Sequence, residues 1–352
     1  MPRRVFFGYL AHMNSNNQGI GEIRKLLSSG GLVDKISLGF SGSGCWGRPN
    51  VLDLYKSANL LFAGNPRSGK SVAANHALLT HYLGNGDHSL YILMNPVGDL
   101  AEYSVLSSKS NVLSLGASTP GYDPTKDILT CLNDLSREFD DRVDEFRKTN
   151  AANINDYDAR GKTKLSKIVV LVENPKKLIE LHLGLARSFD ESLDGAAWRS
   201  CSLNKMLQLG RSYGFKFFFV VEDLSGIPRD VVGNFGERFV FRSTQKLSCD
   251  LIGHSGASSI TLNQEWRSYS LFGETHFPIW TCGVQKRFLR ISMRGKSLQN
   301  NTLFFKPSPS TVALSNLNQS SGYSGAANQN QHHKCFCGIV ELMRFGCKCG
   351  GR

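Results

Sequence analysis

Residues 60–79 read Leu60-Leu61-Phe62-Ala63-Gly64-Asn65-Pro66-Arg67-Ser68-Gly69-Lys70-Ser71-Val72-Ala73-Ala74-Asn75-His76-Ala77-Leu78-Leu79. Four apolar residues run straight into Gly64, and 64–71 satisfies the pattern G-x-x-x-x-G-K-[ST]. The glycines let the backbone turn so that successive N–H groups converge on one concavity. The positive end of the following helix points into the same space, so the loop is built to hold phosphates. Lys70 adds a cation there, and the Ser71 hydroxyl is a hard oxygen suited to Mg²⁺. A glycine turn before an ordinary helix is the competing reading. The apolar strand before the loop and the amphipathic helix after it argue against that alternative. Gly64, Asn65, Pro66, Arg67, Ser68, Gly69, Lys70, Ser71 and Val72 are therefore the expected cradle for ATP with Mg²⁺.

Outward from the loop, apolar runs at 58–63 (ANLLFA), 90–94 (LYILM), 168–172 (IVVLV), 215–221 (FKFFFVV) and 238–241 (RFVF) read as strands. Most are apolar on both faces, as in a parallel sheet covered by helices on both sides. Amphipathic stretches at 70–83, 133–148 and 198–213 read as the helices between them. Such alternation implies an α/β doubly wound sheet. In open sheets of this kind, ligands sit beyond the carboxyl ends of the strands. Glu173, which ends the IVVLV strand ahead of Asn174, is thus expected to face the Mg²⁺–phosphate site. A solvated strand-end acid is the bland alternative.

The chain has 352 residues, with 41 Lys and Arg against 29 Asp and Glu, giving a net charge of +12. An excess of this size favours a polyanionic partner, nucleic acid or an anionic surface, although solubility alone would also account for it. No run approaches the about 18 apolar residues that a bilayer crossing needs. The basic opening at 1–18 is followed by no cleavage site. The expectation is a soluble, cytoplasmic chain, held at the inner face of a membrane only by an anchored partner protein. Residues 1–50 read as lead-in and edge elements and 51–306 as the core. Residues 307–331 contain no charged residue and are rich in Ser, Asn, Gln, Gly and Ala, the composition of a flexible tether.

The order of segments resembles the motor domain of the FtsK/SpoIIIE family, within the HerA–FtsK group of ring ATPases, over roughly 36–290. Ile36-Ser37-Leu38-Gly39 and Val51-Leu52-Asp53-Leu54 lead into the loop, and Gly69-Lys70-Ser71-Val72 fits the family's loop ending. Glu138-Phe139-Asp140-Asp141-Arg142 and Asn153-Ile154-Asn155-Asp156-Tyr157 are similar to the segments ahead of its acidic strand. LGRSYGFKFFFVVED and the stretch from Ile227-Pro228 to Asn234-Phe235-Gly236-Glu237-Arg238-Phe239 are similar to the elements that follow. The departures are Glu173-Asn174 where the family has Asp-Glu, Glu222-Asp223-Leu224 for Gln-Arg-Pro, and Asn95-Pro96-Val97 for Asp-Pro-Lys.

The resemblance implies a RecA-like P-loop NTPase core, mostly parallel, with helices on both faces. It further implies a hexameric ring threading double-stranded DNA, with one nucleotide site at each subunit boundary. Arg238 is the arginine expected to reach a neighbour's γ-phosphate, and Glu222 is the acid expected to substitute for the one lost at Asn174. The process would be conjugation, mobile-element transfer, phage packaging or segregation. A protein secretion motor, or a nucleotide-binding subunit of low turnover, is the alternative.

Of nine cysteines, Cys45, Cys131, Cys201, Cys249 and Cys282 are scattered, while Cys335, Cys337, Cys347 and Cys349 crowd the last 18 residues. Two C-x-C pairs nine residues apart suit a tetrahedral Zn²⁺ site that would stabilise a segment with little core, and His332 or His333 could replace one sulfur. A reduced tail without metal is the alternative. The chain is expected to carry about one Zn²⁺ by the four-thiolate rule. Metal analysis of the full chain and of a truncation at Gln331 tests this, and equal zinc in the two would eliminate the site.

Overall fold

The computed structural model describes residues 26, 29–31, 34–41, 48–85, 89–107, 109–117, 123–161, 164–183, 201–261, 267–270 and 273–276. The tether and cysteine-rich tail expected at 307–352 lie outside them.

The strands are β1 Lys35–Ser41, β2 Arg48–Asp53, β3 Leu60–Ala63, β4 Ser89–Asn95, β5 Val112–Gly116, β6 Lys167–Glu173, β7 Phe215–Val221, β8 Glu237–Val240, β9 Arg267–Ser270 and β10 Gly273–His276. They form one sheet in the order β2-β1-β10-β9-β8-β3-β7-β6-β4-β5. From β8 to β5 every pair is parallel. From β8 through β9, β10 and β1 to β2 every pair is antiparallel. Parallel pairing puts the carboxyl ends of β3, β7, β6 and β4 along one edge, and the phosphate loop leaves β3 there.

β3, β4 and β7 are buried along their whole length. Alternating side chains feed two layers. Leu60, Phe62, Tyr91, Leu93, Val169, Leu171 and Phe218 pack with Ala73, Ala77 and Leu78 of α1 (Lys70–Asn85). The opposite face is covered by α2 (Thr125–Thr149), α4 (Pro175–Leu183) and α5 (Ser202–Leu209). There Phe139 of α2 meets Phe215 edge-on, with ring centroids 5.8 Å apart. Further helices are α3 (Ile154–Arg160), α6 (Arg229–Gly233) and α7 (Gln245–Ile252), with a single helical turn at Ser104–Ser107 after β4.

Several residues that carry the family resemblance act here as fasteners. Arg142, 4% exposed, bonds Glu138, the Tyr213 carbonyl and the Ser166 carbonyl, each at 2.8 Å, and lies over the Phe215 ring. Asn153 caps α3 by accepting from the Asn155 and Asp156 amides. Tyr157 stacks on Phe146 at 4.9 Å. Gly214 adopts φ +83, and a Cβ there would stand 2.2 Å from the Ile154 side chain, so this tight turn into β7 requires glycine.

The expected strands are all present within two residues at either end. α2 begins at Thr125, eight residues ahead of the reading, because Pro124 starts the helix and buried Ile128, Cys131 and Leu132 continue its apolar face. The helix expected at 198–213 is α5 followed by a tighter 3₁₀ turn at Gly210–Tyr213. β5 was not expected. It is a short edge strand, half-buried at Leu113 and Ser114, and so lacks the continuous apolar run of its neighbours.

Two histidines of α1 are fully buried. His76 lies near Ser37, and the Tyr91 hydroxyl meets His81 Nδ1 at 2.6 Å. Burial pushes both down to about 3. Folded-state values below the unfolded one mean that stability is intact above about pH 6.5 and is lost as pH falls toward about 3. Urea unfolding across that range should show His81→Gln less acid-sensitive than wild type, the gap growing by about 1.4 kcal/mol per pH unit. Parallel curves would show that His81 protonates freely in the fold.

Candidate nucleotide site

The loop after β3 is pinned on both sides. The Gly64 amide donates to the Val221 carbonyl at the end of β7 (3.1 Å), and the Asn65 amide to the Arg242 carbonyl just beyond β8 (2.9 Å). Gly64 has φ +154, and a Cβ there would stand 2.8 Å from Ser68 Oγ and 3.0 Å from Phe241 Cβ. Arg67 and Gly69 also take positive φ, at 58° and 94°, turning the chain back into α1, where the Ala73 amide bonds the Gly69 carbonyl at 2.9 Å. Pro66 and Arg67 form the exposed crest, and Val72 is half-buried in the first turn of α1.

Lys70 is nearly buried. Its Nζ lies 3.4 Å from the Asn65 carbonyl and 3.7 Å from Glu222 Oε1 at the tip of β7. The Ser68 hydroxyl is buried with no protein partner. A cradle that a Cβ would fill, an orphan buried hydroxyl and a cation held by long contacts together suit a chain of phosphates. The Ser71 hydroxyl and the Glu173 carboxylate are the hard oxygens that would hold Mg²⁺.

Glu173 sits where the strand reading put it, and it is not solvated on both sides. Its Oε2 accepts from Asn95 Nδ2 at 3.1 Å and its Oε1 from the Tyr103 hydroxyl at 3.2 Å. Asn174 takes φ +55 and donates Nδ2 to Asn95 Oδ1 at 2.9 Å. Asn95 Nδ2 also donates to the Asp99 carbonyl at 2.8 Å. Glu102, on the turn after β4, is raised by burial and then by the Glu173 charge, with Lys70 opposing. Beyond the tips of β6 and β7 lies an open cavity of about 370 Å³, lined by Val97, Asn174, Lys176, Glu222, Asp223 and Ile227.

Arg238, expected to reach a neighbour's γ-phosphate, donates Nε to the Phe235 carbonyl (2.7 Å), Nη1 to the Leu251 carbonyl (3.1 Å) and Nη2 to the Val232 carbonyl (3.2 Å). Backbone carbonyls around the ends of α6 and α7 thus hold the guanidinium within its own chain. Arg242 also turns inward, with Nη2 donating to the Pro66 carbonyl at 3.2 Å. Cys335, Cys337, Cys347 and Cys349 lie outside the described residues, among which no group of three metal-ligating side chains occurs.

The reading of the sequence missed the network behind Glu173. Asn95 was visible only as a departure at a strand end. Tyr103 gave no signal beyond an aromatic residue eight positions after that strand.

The sequence pattern of the FtsK/SpoIIIE family matches residues 34–238, more than half the chain. The chain belongs to the FtsK/SpoIIIE family. It is 24% identical over 238 residues to a DNA translocase FtsK of Agrobacterium fabrum, covering 61% of this chain and 26% of that protein. A DNA translocase FtsK of Bradyrhizobium diazoefficiens is 26% identical over 244 residues, covering 61% and 28%. The chain thus spans about a quarter of the length of these curated relatives. Among solved structures it is similar to EssC (ATPases 2 and 3) of Geobacillus thermodenitrificans, with TM-score 0.57, 16% identity and coverage of 75% of this chain and 49% of that one. The pCW3 conjugation coupling protein TcpA, solved with ATPγS, gives TM-score 0.55, 17% identity and coverage of 73% and 70%. These likenesses establish the RecA-like P-loop fold, with a mostly parallel sheet and helices on both faces.

Lys70→Ala should abolish tight ATP binding while leaving the unfolding midpoint close to wild type, because Lys70 contributes charge to the loop mouth rather than packing. Calorimetric titration with ATPγS checks this, and unaltered affinity would sink the phosphate-loop assignment.

Proposed function

We propose that this chain is an ATP-hydrolysing motor that moves double-stranded DNA through a homo-oligomeric, hexameric ring. It would serve conjugation, mobile-element transfer, phage packaging or segregation, recruited where needed by a membrane-anchored partner. The observation that carries the reading is a complete phosphate loop pinned between β7 and β8 in a chain of this family. Relatives named as DNA translocases support DNA as the cargo. The sequence supplies the cations: Lys286, Arg287, Arg290, Arg294, Lys296 and Lys306 fall within 277–306, which contains no acid. Binding of that kind tracks phosphates rather than bases and weakens steeply with salt.

Hydrolysis needs a water oriented toward the γ-phosphate and an acceptor for its proton. The Asn174 amide can orient water but cannot take a proton at neutral pH, and its Nδ2 is already committed to Asn95. Glu222, the carboxylate paired with Lys70, takes the acceptor role, and turnover is slow. Arg238 stays a fastener of β8, since serving a neighbour would cost it three hydrogen bonds.

ATP hydrolysis by the purified protein, with and without long duplex DNA, tests the proposal. DNA should stimulate turnover, and Glu222→Gln should lower it by about 10²–10⁴-fold with ATP binding intact. DNA-independent hydrolysis would favour a secretion motor, the reading suggested by the likeness to a Type VII secretion ATPase, EccC of Thermomonospora curvata. No turnover in either condition would leave a nucleotide-binding structural subunit.

A further inference from the structure

The turn that follows β4 is not part of the phosphate loop, yet its last residue reaches the metal side of the site. Tyr103 ends the 3₁₀ turn Ala101–Tyr103 and is fully buried. Its hydroxyl donates to Glu173 Oε1 at 3.2 Å. Burial foremost, then the charges of Glu173 and Glu102, hold the phenol well above its ordinary value.

The Tyr103 hydroxyl thus holds Oε1 of Glu173 while Asn95 holds Oε2 from the other side. A carboxylate held at both oxygens is fixed in its rotation. Outer groups that fix the ligands of a metal in this way typically govern 10–100-fold in metal affinity.

We propose that Tyr103 is a positioning residue of the metal site, aligning Glu173 through its buried hydroxyl. Asn95 is the second, independent point of the same clamp. The inference rests on the reading of 64–71 as a nucleotide site, and it deepens that reading without depending on the cargo.

The full chain is tested with ATPγS and Mg²⁺, comparing wild type with Tyr103→Phe, which keeps the buried ring and removes only the hydroxyl. ATPγS affinity in EDTA should be unchanged. The Mg²⁺ concentration that half-saturates the tightening of ATPγS should rise about 10–100-fold. Mn²⁺ titration followed by electron paramagnetic resonance should show the same weakening without any need for turnover. Asn95→Ala, which removes the other donor, should shift the midpoint in the same direction. An unchanged Mg²⁺ midpoint in both variants, with Lys70→Ala still failing to bind ATPγS, would overturn the clamp and leave the nucleotide site standing. Normal ATPγS binding by Lys70→Ala would overturn the site reading beneath it. A loss of ATPγS affinity in EDTA by Tyr103→Phe would also overturn the clamp, since it would mean that the hydroxyl supports the loop rather than the metal ligands.

Discussion

The site depends on β3 lying between two parallel neighbours that end level with it. The amides of Gly64 and Asn65 would be unpaired at the end of a lone strand. Here they donate sideways to the last carbonyl of β7 and to the carbonyl just past β8. That pairing fixes where the loop leaves the sheet, and hence where α1 begins and where Lys70 points. It also brings Glu222, one residue beyond Val221, to the loop mouth. The parallel register β3–β7–β6–β4 carries the same edge onward to Glu173 and Asn95.

The fold was legible because its central strands are buried on both faces and so are apolar without interruption. LLFA, LYILM, IVVLV and FKFFFVV stand out against any background. The loop was legible because its glycines and lysine are demanded by backbone geometry and charge, not by packing. β5 was hidden by being an edge. The intrachain bonds of Arg238 were hidden because sequence shows a charge but not its direction. The three carbonyls that hold it belong to residues 3 to 13 positions away along the chain. Asn95 and Tyr103 were hidden for the opposite reason. They act on a residue 78 and 70 positions distant, and only sheet order brings them to it.

Lys216 shows the same limit inside a strand. It interrupts FKFFFVV and would read as a face exposed to water, yet it is fully buried. Its ammonium bonds the Ser57 carbonyl and hydroxyl at 2.7 and 3.1 Å and also the Ala58 carbonyl. These carbonyls lie in the turn between β2 and β3, so the lysine ties that turn to β7, the neighbour of the strand that feeds the phosphate loop. Burial pulls it down to about 7, the cost of keeping a cation there.

The tips of β4 and β6 carry one carboxylate between two amides, where the resembled family has three acids. The order of donors makes sense of that change. Asn174 gives its N–H to Asn95, and Asn95 gives its own to Glu173. An aspartate at 95 could not pass the bond along, and it would set a second negative charge about 3 Å from Glu173, the hydrogen-bond separation seen here. A glutamate at 174 would have to adopt the left-handed backbone that asparagine tolerates, at about 1 kcal/mol or more. The amides thus concentrate the negative charge of this edge on a single, doubly held carboxylate, while Glu222 spends its charge on Lys70. The result separates two tasks that paired acids usually share. Glu173 is held at both carboxylate oxygens, whereas Glu222, at the tip of β7, is the more exposed carboxylate. The altered strand ends therefore form a consistent redistribution of charge across the same edge of the sheet.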